Sequence, residues 1–246
     1  MLKTECEIKF SEIASSGKTV AIIVAGGSSS RMQGIDKQFY PILSKPVLLR
    51  TLEVFNACDF IDRIVVVGKE ENLLKLQNLV AEKQLDKVSD IVSGGENRAE
   101  SVRRGIDASG EDAGLLLIHD GARPLITAEI IESVKNAAEL YGAAAPGVPL
   151  KDTIKKIDAS GKIIETPERD SLVSIQTPQG FRAEIYKKAL LKAGELTDKI
   201  TDDCMLVEAV GESVYIVEGS YENIKITNPI DIILAETILK ERGEGK

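Results

Sequence analysis

Apolar runs of strand length recur along the chain at Val20–Val24, Ile64–Val67, Leu115–Ile118, Ala143–Val148 and Val214–Val217, and helical patterns lie between most of them. Continuous rather than alternating apolar runs are what strands need when both faces of a sheet are covered. The alternation with helices therefore predicts an α/β fold with a mainly parallel sheet and helices on both faces. Pro46 opens a helix over Val47–Asn56, and Thr127 precedes another over Ala128–Tyr141, in which Ile130, Ile131, Val134, Ala138 and Tyr141 share a stripe. Asn228-Pro229-Ile230-Asp231 has an N-cap residue, a proline at the first helical position and an acid two residues on, which together start a C-terminal helix.

The stretch Asp152–Gln176 breaks this rhythm. Thr153–Ile157 and Lys162–Glu165 flank Asp158-Ala-Ser-Gly161, a turn that predicts an antiparallel hairpin leaving the sheet. A two-stranded arm cannot bury a core alone, so it must pack on the body or on another subunit. Residues 1–17 read as an N-terminal extension, 18–240 as one domain that includes the arm at about 152–176, and 241–246 as a tail; both ends are expected to be peripheral.

At 246 residues and 43% hydrophobic content the chain can bury a large core, and one large α/β domain is the favoured reading. No stretch approaches the ~18 to 20 apolar residues of a membrane span, and Met1–Lys18 has no apolar signal-peptide core, so a cytoplasmic protein with no membrane partner is expected. Cys6, Cys58 and Cys204 are odd in number and scattered, against a disulfide framework or a cysteine-based zinc site. A net charge of −8 argues against nucleic acid as a partner, while a local cluster of Arg31, Lys37, Arg98, Arg123, Arg169 and Lys225 still allows a small anionic substrate.

The chemistry concentrates in the turns. After the first strand, Ala25-Gly26-Gly27-Ser28-Ser29-Ser30 brings backbone N–H groups close to an anion, and Arg31 and Lys37 follow where a triphosphate's charge must be neutralised. The run has neither the spacing of a P-loop nor that of a dinucleotide-binding turn. Gly94-Gly95 follows the short run Val88–Val92 and opens a helix with Ala99, Val102 and Ile106 on one face. That turn reads either as an ordinary strand-to-helix connection or as a backbone surface for a flat base, with Ser101 in hydrogen-bonding reach. Asp120 ends a buried strand, where open α/β sheets place their sites, and serves as a turn former or as a hard oxygen ligand for Mg²⁺ shared with triphosphate oxygens. His119, the only histidine, has no partner at ligand spacing, and Arg123 reads as a loop-holding ion pair. Asp152-Thr153, Arg169 and Lys225 supply groups suited to a phosphate monoester, whereas Thr201-Asp202-Asp203 reads most simply as an N-cap with acids in a first helical turn.

Taken in order, Ala25–Gln38, Gly94–Val102, His119–Pro124, Asp152–Lys155, Arg169 with Gln176–Gln179, Thr201–Asp203 and Asn223–Thr227 resemble the 2-C-methyl-D-erythritol 4-phosphate cytidylyltransferase family over roughly residues 18 to 240. Ser29 stands where that family has glycine, Gly121 where it has alanine, and Asp36 where it has proline. The resemblance implies a doubly wound, Rossmann-like sheet of the nucleotide-diphospho-sugar transferase type, with the hairpin as a dimerisation arm. It implies condensation of CTP with a polyol phosphate, releasing pyrophosphate, with Mg²⁺ or another divalent cation near Asp120. It places Arg31 and Lys37 on the triphosphate, Gly94, Gly95 and Ser101 at the cytosine, and Thr153, Arg169, Thr201 and Lys225 around the substrate phosphate, the arm serving a neighbour's site in a homodimer. A ribitol 5-phosphate cytidylyltransferase shares most of these motifs, and a non-catalytic nucleotide sensor on the same scaffold is the reading from another class.

Overall fold

A computed structural model describes residues 17–27, 36–193 and 200–244 of the chain. Most of the N-terminal extension, with Cys6, lies outside the described residues, as do Ser28, Ser29 and Arg31. The elements run β1 (Lys18–Val24), β2 (Pro41–Ile42), β3 (Lys45–Pro46), α1 (Val47–Ala57), β4 (Arg63–Gly68), α2 (Leu73–Glu82), β5 (Val88–Ser93), α3 (Arg98–Asp107), β6 (Ala113–Asp120), α4 (Ala128–Tyr141) and β7 (Ala143–Pro149). There follow β8 (Lys156–Ile157), β9 (Ile163–Glu165), β10 (Val173–Ile175), β11 (Gln179–Arg182), α5 (Ala183–Ala193), α6 (Asp203–Glu208), β12 (Tyr215–Glu218) and α7 (Pro229–Glu241).

The main sheet has the order β10-β7-β11-β6-β1-β4-β5, with β12 parallel to β7. β1 is central and parallel to both neighbours: Ile22 sits opposite Ile118 on β6 and Val65 on β4. Successive β1 side chains enter opposite cores. Ala21 and Ile23 pack with Leu48, Leu52 and Phe55 of α1 and Ile131 and Val134 of α4. Val20 and Ile22 pack with Val102 and Ile106 of α3 and Tyr186 of α5. Helices therefore cover both faces, and each buried Val or Ile contributes about 1.5–3 kcal/mol relative to exposure. Gly105 sets how close α3 lies, since a Cβ there would meet Ile22 Cγ2 at 2.6 Å. No helix among the described residues is long and apolar enough to cross a membrane.

Two features depart from the sequence reading. β11 inserts antiparallel between β6 and β7, and β10 pairs antiparallel with β7, so that end of the sheet is mixed. The hairpin is shorter than its sequence pattern: only Lys156–Ile157 pairs on its first side, and Val173–Ile175 has already rejoined the main sheet. Every residue from 151 to 166 is exposed. The described part of the tail, residues 241–244, is exposed, as a peripheral segment is, but ion pairs tie it to the body. Arg50, 6% exposed, donates to Ile42 O and pairs with Glu244 at 2.6 Å, and Arg242 reaches Glu222 at 2.7 Å. Docking of α7 through Ile232, Ala235 and Leu239 onto Ile42, Ala122 and Ile226 fixes the segment that carries Lys225. The capping box at its start forms as the sequence suggests, between Asn228 and Asp231.

Candidate functional site

Adjacent parallel strands end at one level, and hydrogen bonds join the turns that leave them. Ala25 N donates to Val67 O (2.7 Å), Gly94 N to Gly68 O (2.7 Å) and Gly121 N to Val24 O (2.9 Å). Above these ends opens a cleft of about 530 Å³. The chain after β1 contributes Gly26, Gly27 and Lys37; the β5–α3 turn contributes Gly95, and the start of α3 Arg98 and Ser101; β6 contributes Asp120, and Lys225 closes the side nearest α7. Segments far apart in sequence thus converge at the carboxyl edge of the sheet, where open α/β folds bind ligands.

Ser101 is built into its turn. Its Oγ accepts from Gly95 N (3.0 Å) and donates to Asn97 O (2.9 Å), while Asn97 caps α3 by accepting from Glu100 N (2.9 Å). Gly95 has no room for a side chain, because a Cβ would run into Glu100. The hydroxyl therefore shapes the loop as well as facing the cleft. Two sequence candidates, Gly94 and Ala25, do not line the cleft: Gly94 backs onto the Ser101 hydroxyl, and Ala25 is 3% exposed.

Asp120 sits at the centre of a cation cluster. Lys225 Nζ approaches its Oδ2 at 2.8 Å, and Arg98 Nη2 and Arg123 Nε stand 3.8 Å from its two oxygens. Burial alone would raise the Asp120 pKa, but Lys225, Arg98 and Arg123 together hold it at about 2, so the carboxylate is ionised. Burial pulls down the pKa of Arg98, yet Asp203 and Asp120 outweigh it and fix the guanidinium as charged. Among the described residues, Lys37, Lys69, Arg98 and Lys225 line the cleft against Glu96 and Asp120, four cations to two carboxylates. A protein of net charge −8 therefore carries a positive cleft, which attracts small anions.

His119 has no part in this surface. It is fully buried, its Nδ1 meets Thr177 Oγ1 at 3.0 Å, and its ring lies 4.9 Å from that of Phe55. Burial lowers its pKa to about 3, which removes it from acid–base work near neutral pH. Arg123 holds its loop by donating to the backbone Asn223 O at 2.6 Å, and the ion pair expected of it is the longer, 3.8 Å contact with Asp120. Cys58 and Cys204 are free, buried thiols, and burial raises the pKa of both.

The remaining sequence candidates lie apart from the cleft. Asp152, Thr153 and Arg169 are exposed on or beside the arm, and Thr201 is exposed ahead of α6. The N-cap of α6 is Asp202, which accepts from Met205 N at 3.0 Å. Asp203 is the residue that sequence reasoning undervalued: it is the first-turn acid expected, and it also pairs with Arg98 at 2.5 Å. Lys69 was also missed; its position one residue beyond a strand that ends beside the glycine turn was the available signal.

Among the described residues no group of three or more His, Cys, Asp or Glu side chains could hold a metal. Asp120, an ionised carboxylate on the cleft wall, is of the chemistry that holds Mg²⁺ together with substrate phosphates, and here Lys225 Nζ stands 2.8 Å from one of its oxygens.

A family model described as "IspD: 2-C-methyl-D-erythritol 4-phosphate cytidylyltransferase" matches residues 19–241. A Clostridium botulinum (strain 657 / Type Ba4) protein named 2-C-methyl-D-erythritol 4-phosphate cytidylyltransferase is 44% identical over 225 residues, spanning 91% of this chain and 98% of its own length. A protein of the same name from Dehalococcoides mccartyi (strain ATCC BAA-2266 / KCTC 15142 / 195) is 47% identical over 224 residues, 91% of this chain and 97% of its own. Among solved structures, 4-diphosphocytidyl-2C-methyl-D-erythritol synthase from Anaerococcus prevotii DSM 20548 superposes with a TM-score of 0.83 at 30% identity, covering 93% of this chain and 99% of that one.

Proposed function

The chain belongs to the 2-C-methyl-D-erythritol 4-phosphate cytidylyltransferase family, and from that premise we propose how its cleft carries out the reaction. The activity is CTP-dependent transfer of CMP to 2-C-methyl-D-erythritol 4-phosphate, in isoprenoid biosynthesis. One observation carries the assignment of the site: the two glycine turns, Lys37, Arg98, Asp120 and Lys225 face one cleft at the carboxyl ends of β1, β5 and β6.

The substrate phosphate is already anionic at neutral pH, so its oxygen attacks the α-phosphorus without a general base. The protein's task is to bring two polyanions together in line and to neutralise charge as pyrophosphate leaves. Arg31, Lys37 and the Gly26–Gly27 backbone serve the triphosphate, and Lys225 serves the acceptor phosphate. The Gly94–Ser101 turn takes the cytosine through backbone groups whose position Ser101 fixes. Asp120 fits a divalent cation, which when bound neutralises triphosphate charge.

The arm carries Ile154, Ile157, Ile163 and Ile164, between 41% and 58% exposed, more apolar surface than a two-stranded hairpin covers by itself. A second copy of the chain covers it in a homodimer, and Asp152, Thr153 and Arg169 then complete the neighbour's acceptor site. Substrates this highly charged do not cross membranes unaided, in keeping with a cytoplasmic enzyme.

Parallel assays of CTP and Mg²⁺ with 2-C-methyl-D-erythritol 4-phosphate and with ribitol 5-phosphate test the reading. Efficient pyrophosphate release with the methylerythritol substrate is expected. Preference for ribitol 5-phosphate, or CTP binding with no release from either, would overturn it.

A further inference from the structure

Behind the cleft wall lies a buried polar assembly that the transfer reaction does not itself require. Asp203 is 2% exposed, and its Oδ2 lies 2.5 Å from Arg98 Nη1. The Tyr186 hydroxyl donates to its Oδ1 at 2.6 Å, and Tyr186 is fully buried. Gln179 Oε1 accepts from the backbone N–H of Asp203 (2.9 Å) and of Cys204 (3.1 Å), while its Nε2 donates to Asp202 at 2.9 Å. Every member comes from a different element than Arg98: β11 supplies the glutamine, α5 the tyrosine and α6 the carboxylate.

A buried carboxylate costs several kcal/mol in desolvation unless it is well paired, and an apolar side chain of similar volume is often at least as good for stability. A charge here therefore calls for a reason beyond packing. Arg98 supplies one, because it is the only partner of Asp203 among these groups that lines the cleft. An unrestrained arginine loses rotamer freedom when it grips an anion, whereas a guanidinium held at one nitrogen has lost it in advance. Nη1 is held by Asp203, and Nη2 stands at the cleft wall, 3.8 Å from Asp120 Oδ1.

We propose that Asp203 is a positioning residue: with Tyr186 and Gln179 behind it, it fixes the Arg98 guanidinium so that Arg98 meets the nucleotide's phosphates already oriented. The proposal rests on the cleft being the CTP site. Asp203 acts through Arg98 and touches neither substrate.

The test is a double-mutant cycle on CTP affinity, read by calorimetry on the full chain with CTP and Mg²⁺, together with KM for each substrate. Arg98→Ala and Asp203→Asn should each weaken CTP binding by about tenfold or more, the order expected from losing a charge-assisted contact. Tyr186→Phe should weaken it by about threefold, and KM for the polyol phosphate should not move. Asp203→Asn should cost nothing further once Arg98 is alanine. Independent, multiplying effects in the double mutant, or Asp203→Asn binding CTP as wild type does while Arg98→Ala does not, would overturn the proposal. If Asp203→Asn does not fold, the cycle of Tyr186→Phe with Arg98→Ala decides by the same criterion. Wild-type protein that binds no CTP would sink the site assignment itself, an outcome distinct from CTP binding that is insensitive to Asp203.

Discussion

Substituting His119 with asparagine should flatten the acid dependence of folding stability. His119 is the chain's only histidine, and burial, only partly opposed by Asp120, holds its folded pKa at about 3. In the unfolded chain the same imidazole takes up its proton near ~6.5. Between these values the unfolded state binds more protons than the folded one, so stability falls as pH falls through the window. From pH 7 to pH 5 the loss is about 2 kcal/mol, almost the same for any folded value well below 5. Asp120, with a pKa of about 2, titrates below this range and adds little to it. Asparagine leaves a polar atom for Thr177 but forfeits the ring's contact with Phe55, lowering stability at both pH values. Urea unfolding at pH 7 and pH 5, in chelator and without nucleotide, measures the difference. Wild type should lose about 2 kcal/mol more than the variant on acidification; equal losses would refute a neutral, buried imidazole.

Lys37→Ala and Arg31→Ala should each lower kcat by at least ~10²-fold with little change in melting temperature, because a cation aimed at developing charge acts in the transition state; near wild-type turnover in either would remove that residue from the site. Ser101→Ala removes the hydroxyl joining Gly95 N to Asn97 O and should raise KM for CTP about five- to tenfold, relaxing preference over UTP; unchanged kinetics with both nucleotides would move base recognition elsewhere. Mixing inactive Arg169→Ala and Lys37→Ala subunits should restore activity in heterodimers holding one intact composite site, and no recovery under verified exchange, or a monomer at assay concentration, would remove the arm's role in trans.

What could be read from the sequence divides along physical lines. β1, β4 and β6 were legible because strands covered on both faces are continuous apolar runs. β11 was not, because Gln179-Gly-Phe-Arg182 carries no such run and forms its strand only by fitting between β6 and β7. The glycine turns and Asp120 were legible because a turn at a strand's carboxyl end is local in sequence. The role of Asp203 was hidden: its partner Arg98 lies far away in the chain, and a first-turn acid has a sufficient local explanation in the helix dipole. The pairing of the tail's Glu244 with the buried Arg50 was hidden for the same reason, because the two residues lie far apart in the chain.

The central claim, that one cleft at the carboxyl edge of the sheet receives CTP, is tested most directly by following backbone amide resonances during titration with CTP and Mg²⁺. The account predicts saturable shifts at Gly26, Gly27, Gly95, Asn97, Ser101 and Lys225, all on the cleft wall, and none at Arg103 or Leu190 on the separate groove between α3 and α5. Shifts confined to that groove, with Gly26, Gly95 and Lys225 unmoved, would contradict it.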